Sequence, residues 1–399
     1  MVKKRSKAVV IGGGIHGISS AIELAKEGLE VSLLEKNKDI MEGTSRATQN
    51  RAHLGYHYPR SPTTAIECRE GLEFFRQKYP RTLIYQDEDY YLIERHNSLT
   101  SYEEYKNFCD EVQIPYKEET PSENFWNSEN IDGGFKVAEP VYDLEMLTRI
   151  LKKESSDLGV DIITDNVVIG FDVSKEEEYR IHSLENGVKG RVHDASIIVN
   201  ATYAYSNNIL KILGLEKDMT MYHLQKTEVV IARSKEKIPS LTVMDGPFVT
   251  LLPLTNCHDI GLFLVYDVKN SVLEQQEGYF LDDKISHTTN WSKMKEHGQK
   301  YFPFFENLEY LASNYGNRPV PMSVSDDSRN TRIKHHEKLP GVYSLLEGKF
   351  ISAPLIANRL VRRIKEDGFI SKNISKNFDS DGYVQNKISQ NTKDRLKVV

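Results

Sequence analysis

The chain is poor in cysteine and tryptophan, with 3 and 2 among 399 residues. Cys68, Cys109 and Cys257 lie far apart and form no C-x-x-C pair. That excludes a zinc site built on closely spaced thiolates and argues against a disulfide framework. A basic surplus is also missing: 52 Lys and Arg stand against 58 Asp and Glu, a net charge of −6. No nucleic-acid partner is expected from that balance. No run approaches the roughly 18 apolar residues of a spanning helix. The basic residues Lys3, Lys4 and Arg5 precede an apolar run, as in a signal peptide. Three glycines interrupt that run, however, and Glu23 and Lys26 add charge soon after it. The expectation is a cytoplasmic chain with no integral membrane segment. There is no internal repeat and no His-Glu-x-x-His motif. His53 and His57 are four apart, but Gly55 and Pro59 disfavour the helix that a metal pair would need, so no metal is expected.

The residues that are present form an α/β pattern. Residues 8–11 form a short apolar run, as in a buried parallel strand. Ile15, Ile18, Ala21, Ile22 and Ala25 then recur at helical spacing, Gly28 ends the helix, and residues 31–35 read as a second strand. Between strand and helix lies Gly12-x-Gly14-x-x-Gly17. The first glycine permits the tight turn, the second lets a pyrophosphate approach the backbone, and the third lets the helix pack on the strand. The helix N-terminus offers N–H groups and a positive dipole end to phosphates. Glu35, closing the second strand, is placed to accept hydrogen bonds from ribose hydroxyls, and its charge disfavours the 2′-phosphate of NADP. This unit by itself leaves FAD and NAD both open.

Further along, 64–79 and 144–158 have helical spacing, and 160–163, 166–171 and 195–200 read as strands. From about 216 to 330 the strands look antiparallel (229–231, 248–252, 262–265), and an aromatic-rich segment near 291–315 reads as helical. Residues 100–130 are polar and mixed. The α/β pattern returns with a strand at 342–346, Gly348 and a helix after it.

Several segments together carry a family resemblance. Glu35-Lys36, Gly43-Thr44-Ser45, Asn200-Ala201-Thr202 and Gly348-Lys349-Phe350-Ile351-Ser352-Ala353-Pro354 resemble the D-amino-acid oxidase-like superfamily of FAD-dependent oxidoreductases. That superfamily includes glycine oxidase, sarcosine oxidase and L-2-hydroxyglutarate oxidase. His53-Leu54-Gly55-Tyr56-His57-Tyr58-Pro59 looks like a segment of the 2-hydroxyglutarate oxidase branch. The resemblance implies an α/β fold. A Rossmann-like FAD-binding domain would be assembled from 1–80, 140–215 and 331–370. A mixed or antiparallel substrate domain over 81–139 and 216–330 would be inserted into it, and 371–399 would form a polar tail, expected to be partly disordered. It implies FAD as cofactor. Thr44 and Ser45 would lie near its pyrophosphate, Val167 or Val168 near its adenine, and Gly348, Lys349 and Ile351 would bring a second helix N-terminus toward the flavin.

The implied reaction moves a hydride from a CH–OH or CH–NH2 carbon of a small, polar, carboxylate-bearing metabolite to flavin N5. An alcohol must also lose its O–H proton. His53 is the candidate base or flavin-face residue, since an imidazole suits proton transfer near neutrality. A covalent flavin link at His53, or a histidine merely hydrogen-bonded in its loop, are the alternatives. Arg329, then Arg318, with Arg332 nearby, are candidates to grip a carboxylate, because the guanidinium fork does so in bidentate fashion. Salt bridges to Asp326 and Asp327 are the plainer alternative. Tyr56 and Tyr58 either wall a flavin pocket or belong to the core, and His335-His336 reads as a solvated turn before Pro340. An NAD-dependent dehydrogenase and a non-catalytic flavoprotein scaffold or sensor are the competing functional readings.

Overall fold

The computed structural model describes residues 6–174, 178–254, 261–282, 288–322, 331–346 and 348–371. Arg329 with Asp326 and Asp327, Cys257, and the tail beyond Ser371 lie outside the described residues.

The first strand, β1 (Lys7–Ile11), runs into the helix α1 (Ile15–Lys26) and then the strand β2 (Glu30–Leu34). The two strands pair in parallel, Ala8 opposite Val31 and Val10 opposite Leu33. Both are apolar along their length because helices cover one face and other elements the second. They sit at the centre of a six-stranded sheet in the order Arg332–His335, Val342–Leu346, Ile197–Asn200, β1, β2, Asp161–Ile163. Only the edge strand Arg332–His335 is antiparallel. The apolar face of α1 packs against the C-terminal helix Ala353–Glu366 and the helix Leu144–Asp157. The carboxyl ends of β1, β2 and Ile197–Asn200 therefore open on one edge, where the chain order reverses between strands; ligands bind at such switch points in open α/β sheets.

A second sheet has nine strands. Its order is Val272–Gly278, Tyr222–Arg233, Leu262–Asp267, Val249–Pro253, Ser240–Met244, Asp89–Glu94, Ile131–Val137, Tyr116–Glu118, with Glu309–Pro321 also paired to Tyr222–Arg233. One face carries Val230, Val265, Leu251 and Leu241 and is covered by aromatics of 301–305 and by Met294. The other carries Tyr91, Ile93, Phe135 and Met244 and joins the core of the parallel-sheet half. The polar stretch 100–130 holds the helix Tyr102–Glu111, started by a capping box in which Ser101 and Glu104 satisfy each other's backbone N–H. Among the described residues, no helix is long and apolar enough to cross a membrane.

Two expectations fail here. The segment near 291–315 is helical only through Trp291–Gln299 and the short turn Pro303–Asn307. Residues 309–315 instead belong to the 13-residue strand Glu309–Pro321, which pairs along the whole of Tyr222–Arg233. A long ladder overrides local propensity. His335-His336 is no solvated turn either. His335 ends an edge strand and stacks on Tyr343, and His336 is 1% exposed.

Candidate active site

The glycine loop is built for close approach. A β-carbon on Gly17 would fall 1.8 Å from the carbonyl oxygen of Gly12, and one on Gly12 would fall 2.7 Å from that of Ala201. Gly14 is the extended N-cap of α1 and gives it no side-chain cap, and the first turn holds no acidic residue. The N–H of Ile15 instead donates to Ser45 Oγ at 3.1 Å. Ser45 thus stands at the positive end of α1. Thr44 faces the other way: its Oγ1 donates to the carbonyl of Asn317 at 2.9 Å, tying this loop to the nine-stranded sheet. Gly316 makes the same contact closely, since a β-carbon there would meet that of Ala47 at 2.7 Å.

Glu35 is buried, and its carboxylate accepts from the N–H of Gly13 at 2.5 Å and from that of Asn37 at 2.8 Å. The acid therefore braces the glycine loop as well as standing where a ribose would. Lys36 lies over the ring of Tyr205, its Nζ 3.4 Å from the centroid. Val167 is 45% exposed on the strand Asn166–Val173, beside Asn166, whose N–H donates to the carbonyl of Glu35. Gly348 packs on Thr331, Ile351 is buried, and Phe350 stacks on Tyr142 at 4.1 Å. Lys349 reaches back to the His53 loop, its Nζ 4.1 Å from the centroid of the Tyr58 ring. The structure thus brings 12–17, 35–45, 167 and 348–351 around one edge of the parallel sheet.

The loop with His53 turns at Gly55, whose φ of +124° and contact with Ala65 leave no room for a side chain. It places the rings of His53, His57 and Tyr58 together, with centroids 5.5–5.7 Å apart. Tyr56 points into the core and is fully buried. Burial, then His57, Lys349 and Arg51, hold the His53 imidazole well below the usual histidine range, so it is neutral at pH 7. Among the described residues, His53 Nδ1 has no hydrogen-bond partner; it lies 3.8 Å from Glu139 Oε1. Similar burial pushes His16, in the glycine loop, down to about 4.

Behind His53 lies a buried network with no local sequence signature. Arg51 Nη1 donates to Glu139 Oε2 at 2.6 Å and to the Tyr91 hydroxyl at 2.7 Å, and Nη2 donates to Thr242 Oγ1 at 2.6 Å. The Tyr91 hydroxyl also donates to Glu139 Oε2, and the N–H of Leu54 donates to Oε1. Tyr91 and Thr242 are register partners on adjacent strands, so Arg51 docks on the inner face of the nine-stranded sheet. Asp89, two residues from Tyr91 on that face, is pushed up to about 7 by burial, with Arg51 opposing. The position of Arg51 two residues before His53 is the one hint the sequence offers; Glu139 gives none.

Of the arginine candidates, Arg318 and Arg332 fall within the described residues, and they lie on different sheets. Arg318 lies on Glu309–Pro321 with its fork on Gln225 Oε1, at 2.6 and 2.9 Å, while Arg332 begins a strand of the other sheet. Among the described residues, no group of three or more His, Cys, Asp or Glu is placed to hold a metal.

These features fit a bound dinucleotide. The glycine loop leaves room where β-carbons would stand, Gly14 gives α1 no side-chain cap, and, among the described residues, the buried Nδ1 of His53 has no partner.

Known proteins share this architecture. The chain is 24% identical over 366 residues to the FAD-dependent monooxygenase FPY4 of Fusarium mangiferae, covering 90% of this chain and 91% of that protein. In fold it is similar to glycine oxidase from Geobacillus kaustophilus, with a TM-score of 0.69 at 15% identity over 91% of this chain and 95% of that one. The FAD-bound L-alpha-glycerophosphate oxidase from Mycoplasma pneumoniae matches with a TM-score of 0.70 at 18% identity, over the same shares of the two chains. The family model DAO, FAD dependent oxidoreductase, matches residues 7–363, so the chain belongs to that family and is an FAD-dependent enzyme, which rules out the NAD-dependent and non-catalytic readings.

Proposed function

We propose that this enzyme oxidises a CH–OH or CH–NH2 carbon of a small polar metabolite, with His53 as the group that takes the substrate proton. When bound, FAD supplies the hydride acceptor. The observation that carries the reading is the state of His53: neutral and half-buried, its buried Nδ1 unpartnered among the described residues and next to Glu139. A neutral imidazole can accept a hydroxyl proton, and the Glu139 carboxylate behind it favours the imidazolium that forms. Arg51 and Tyr91 hold Glu139 in place, and Glu139 accepts from the N–H of Leu54, so the sheet anchors the loop that carries the base. The cations Arg51 and Lys349 give this junction a positive field that suits an anionic substrate. A carboxylate could reach Arg318 only by displacing Gln225, which makes Arg318 a weaker candidate than the resemblance implies. Ser45 and the α1 N-terminus would hold the pyrophosphate, and Glu35 the ribose. The buried thiols of Cys68 and Cys109 support a cytoplasmic setting.

The test is anaerobic reduction of the purified yellow protein by 2-hydroxy acids, amino acids and amino sugars, repeated with His53→Ala. Flavin bleaching by one of them, slowed 10²–10⁴-fold in His53→Ala with flavin content unchanged, is expected, roughly the span for a lost general base. Wild-type rates in His53→Ala sink the assignment. A second reading, oxygen insertion, is favoured by the name of the fungal relative. It predicts that no such substrate bleaches the flavin unaided and that oxygen from O2 appears in the product.

A further inference from the structure

Asp218, His336 and Ser344 form a chain of side chains that the reaction above does not use. His336 Nδ1 is 2.6 Å from Asp218 Oδ2, and Nε2 is 2.9 Å from Ser344 Oγ. The arrangement is that of a hydrolase nucleophile, yet Ser344 is 0% exposed, so no substrate reaches it. The chain continues inward instead. Asn200 Nδ2 donates to Ser344 Oγ at 3.4 Å, and Asn200 Oδ1 accepts from the N–H and Oγ1 of Thr202, at 3.3 and 2.7 Å. Thr202 opens the turn that leaves Ile197–Asn200, and the next residue, Tyr203, has a φ of +53°. A residue with a β-carbon adopts that conformation only where its surroundings impose it. The turn borders the glycine loop: a β-carbon on Gly12 would meet Ala201 O at 2.7 Å and Thr202 Cα at 3.3 Å.

We propose that His336 and Ser344 are positioning residues for the FAD crevice, acting through Asn200 to hold the 201–203 turn against the glycine loop. The proton assignments close only with a neutral imidazole. Its Nδ1–H donates to Asp218, Ser344 donates its O–H to Nε2, and Ser344 Oγ accepts from Asn200. A second proton on His336 turns Nε2 into a donor and leaves the buried Ser344 O–H without an acceptor. Asp218, Lys334 and His335 are the charged or titratable groups acting on His336, and burial holds it below the usual histidine range. The turn is thus held from physiological pH upward and released as pH falls.

The inference rests on reading the 12–17 loop as the pyrophosphate cradle. The test follows FAD release from diluted holoenzyme by flavin fluorescence, from pH 8 down to the most acidic pH at which the protein stays folded. Wild-type release should quicken only below 6.5, the ordinary histidine value. Ser344→Ala should release FAD on the order of tenfold faster at pH 7.5, the effect of one lost buried hydrogen bond, with a flattened pH profile. Adding Tyr203→Gly, which removes the need to impose the left-handed turn, should bring the rate back toward wild type. A flat wild-type profile overturns the proposal, as does release from Ser344→Ala at the wild-type rate, or no release from either. Gly17→Ala separates the two readings: if it retains FAD normally, the cradle itself is wrong. If it loses FAD and Ser344→Ala does not, only the relay fails.

Discussion

The two large sheets of this enzyme contribute to the site in opposite ways. The six-stranded, mostly parallel sheet offers backbone: a glycine loop, a helix N-terminus and buried apolar strands. Its polar side chains brace that backbone, as Glu35 does for Gly13. The nine-stranded sheet offers side chains: Tyr91, Thr242 and Asp89 face inward and receive Arg51. A backbone site can be encoded by a few consecutive residues. A side-chain site on a sheet face is encoded by register between strands that lie far apart in the chain, 89–94 beside 240–244.

That contrast can be broken experimentally, most sharply in the parallel half. Gly17→Ala places a β-carbon 1.8 Å from Gly12 O, which forces the loop open. We expect near-complete loss of bound FAD, read as the flavin-to-protein absorbance ratio after purification. In the other half, Glu139→Ala leaves Arg51 buried with no carboxylate on its Nη1, at a cost of about 3–5 kcal/mol in unfolding free energy. Urea denaturation measures it. Equal stability in the two proteins would mean that the network is not the brace of the inner sheet face.

Asp89 gives a pH signature. Its folded pKa, about 7, lies above the ordinary 3.8, so the folded state binds the extra proton between those values. Stability from this group is therefore present at low pH and is lost as pH rises through about 7. Asp89→Asn should flatten the melting temperature between pH 5 and 8 and raise it at the upper end. A melting curve that keeps the wild-type slope would refute this. The smallest effect is expected at the seam: Thr44→Val removes the bond to Asn317 O, worth about 1 kcal/mol, and should leave the flavin ratio unchanged.

Legibility in the sequence divides along the same line. The β-α-β unit, Glu35 and the 348–354 segment are legible because each is a short run with its own periodicity or punctuation. The start of the helix Tyr102–Glu111 is also written locally, in Ser101 and Glu104, although the polar composition around it masks the signal. Residues 309–315 read wrongly as helical because their partner strand lies some 80 residues away, from 228 to 233, and no local pattern reports it.

The sequence by itself determined that a dinucleotide binds and which half binds it, since a loop that must let a phosphate touch the backbone is written in glycines, in order, between a strand and a helix. The tertiary structure alone decided what stands around His53. Arg51, Tyr91, Glu139 and Thr242 are separated by up to 191 positions and meet within hydrogen-bonding distance only after both sheets have formed. The same holds for Asp218, His336, Ser344 and Asn200: each is an ordinary polar residue in the chain, and burial together is what gives them a defined proton arrangement.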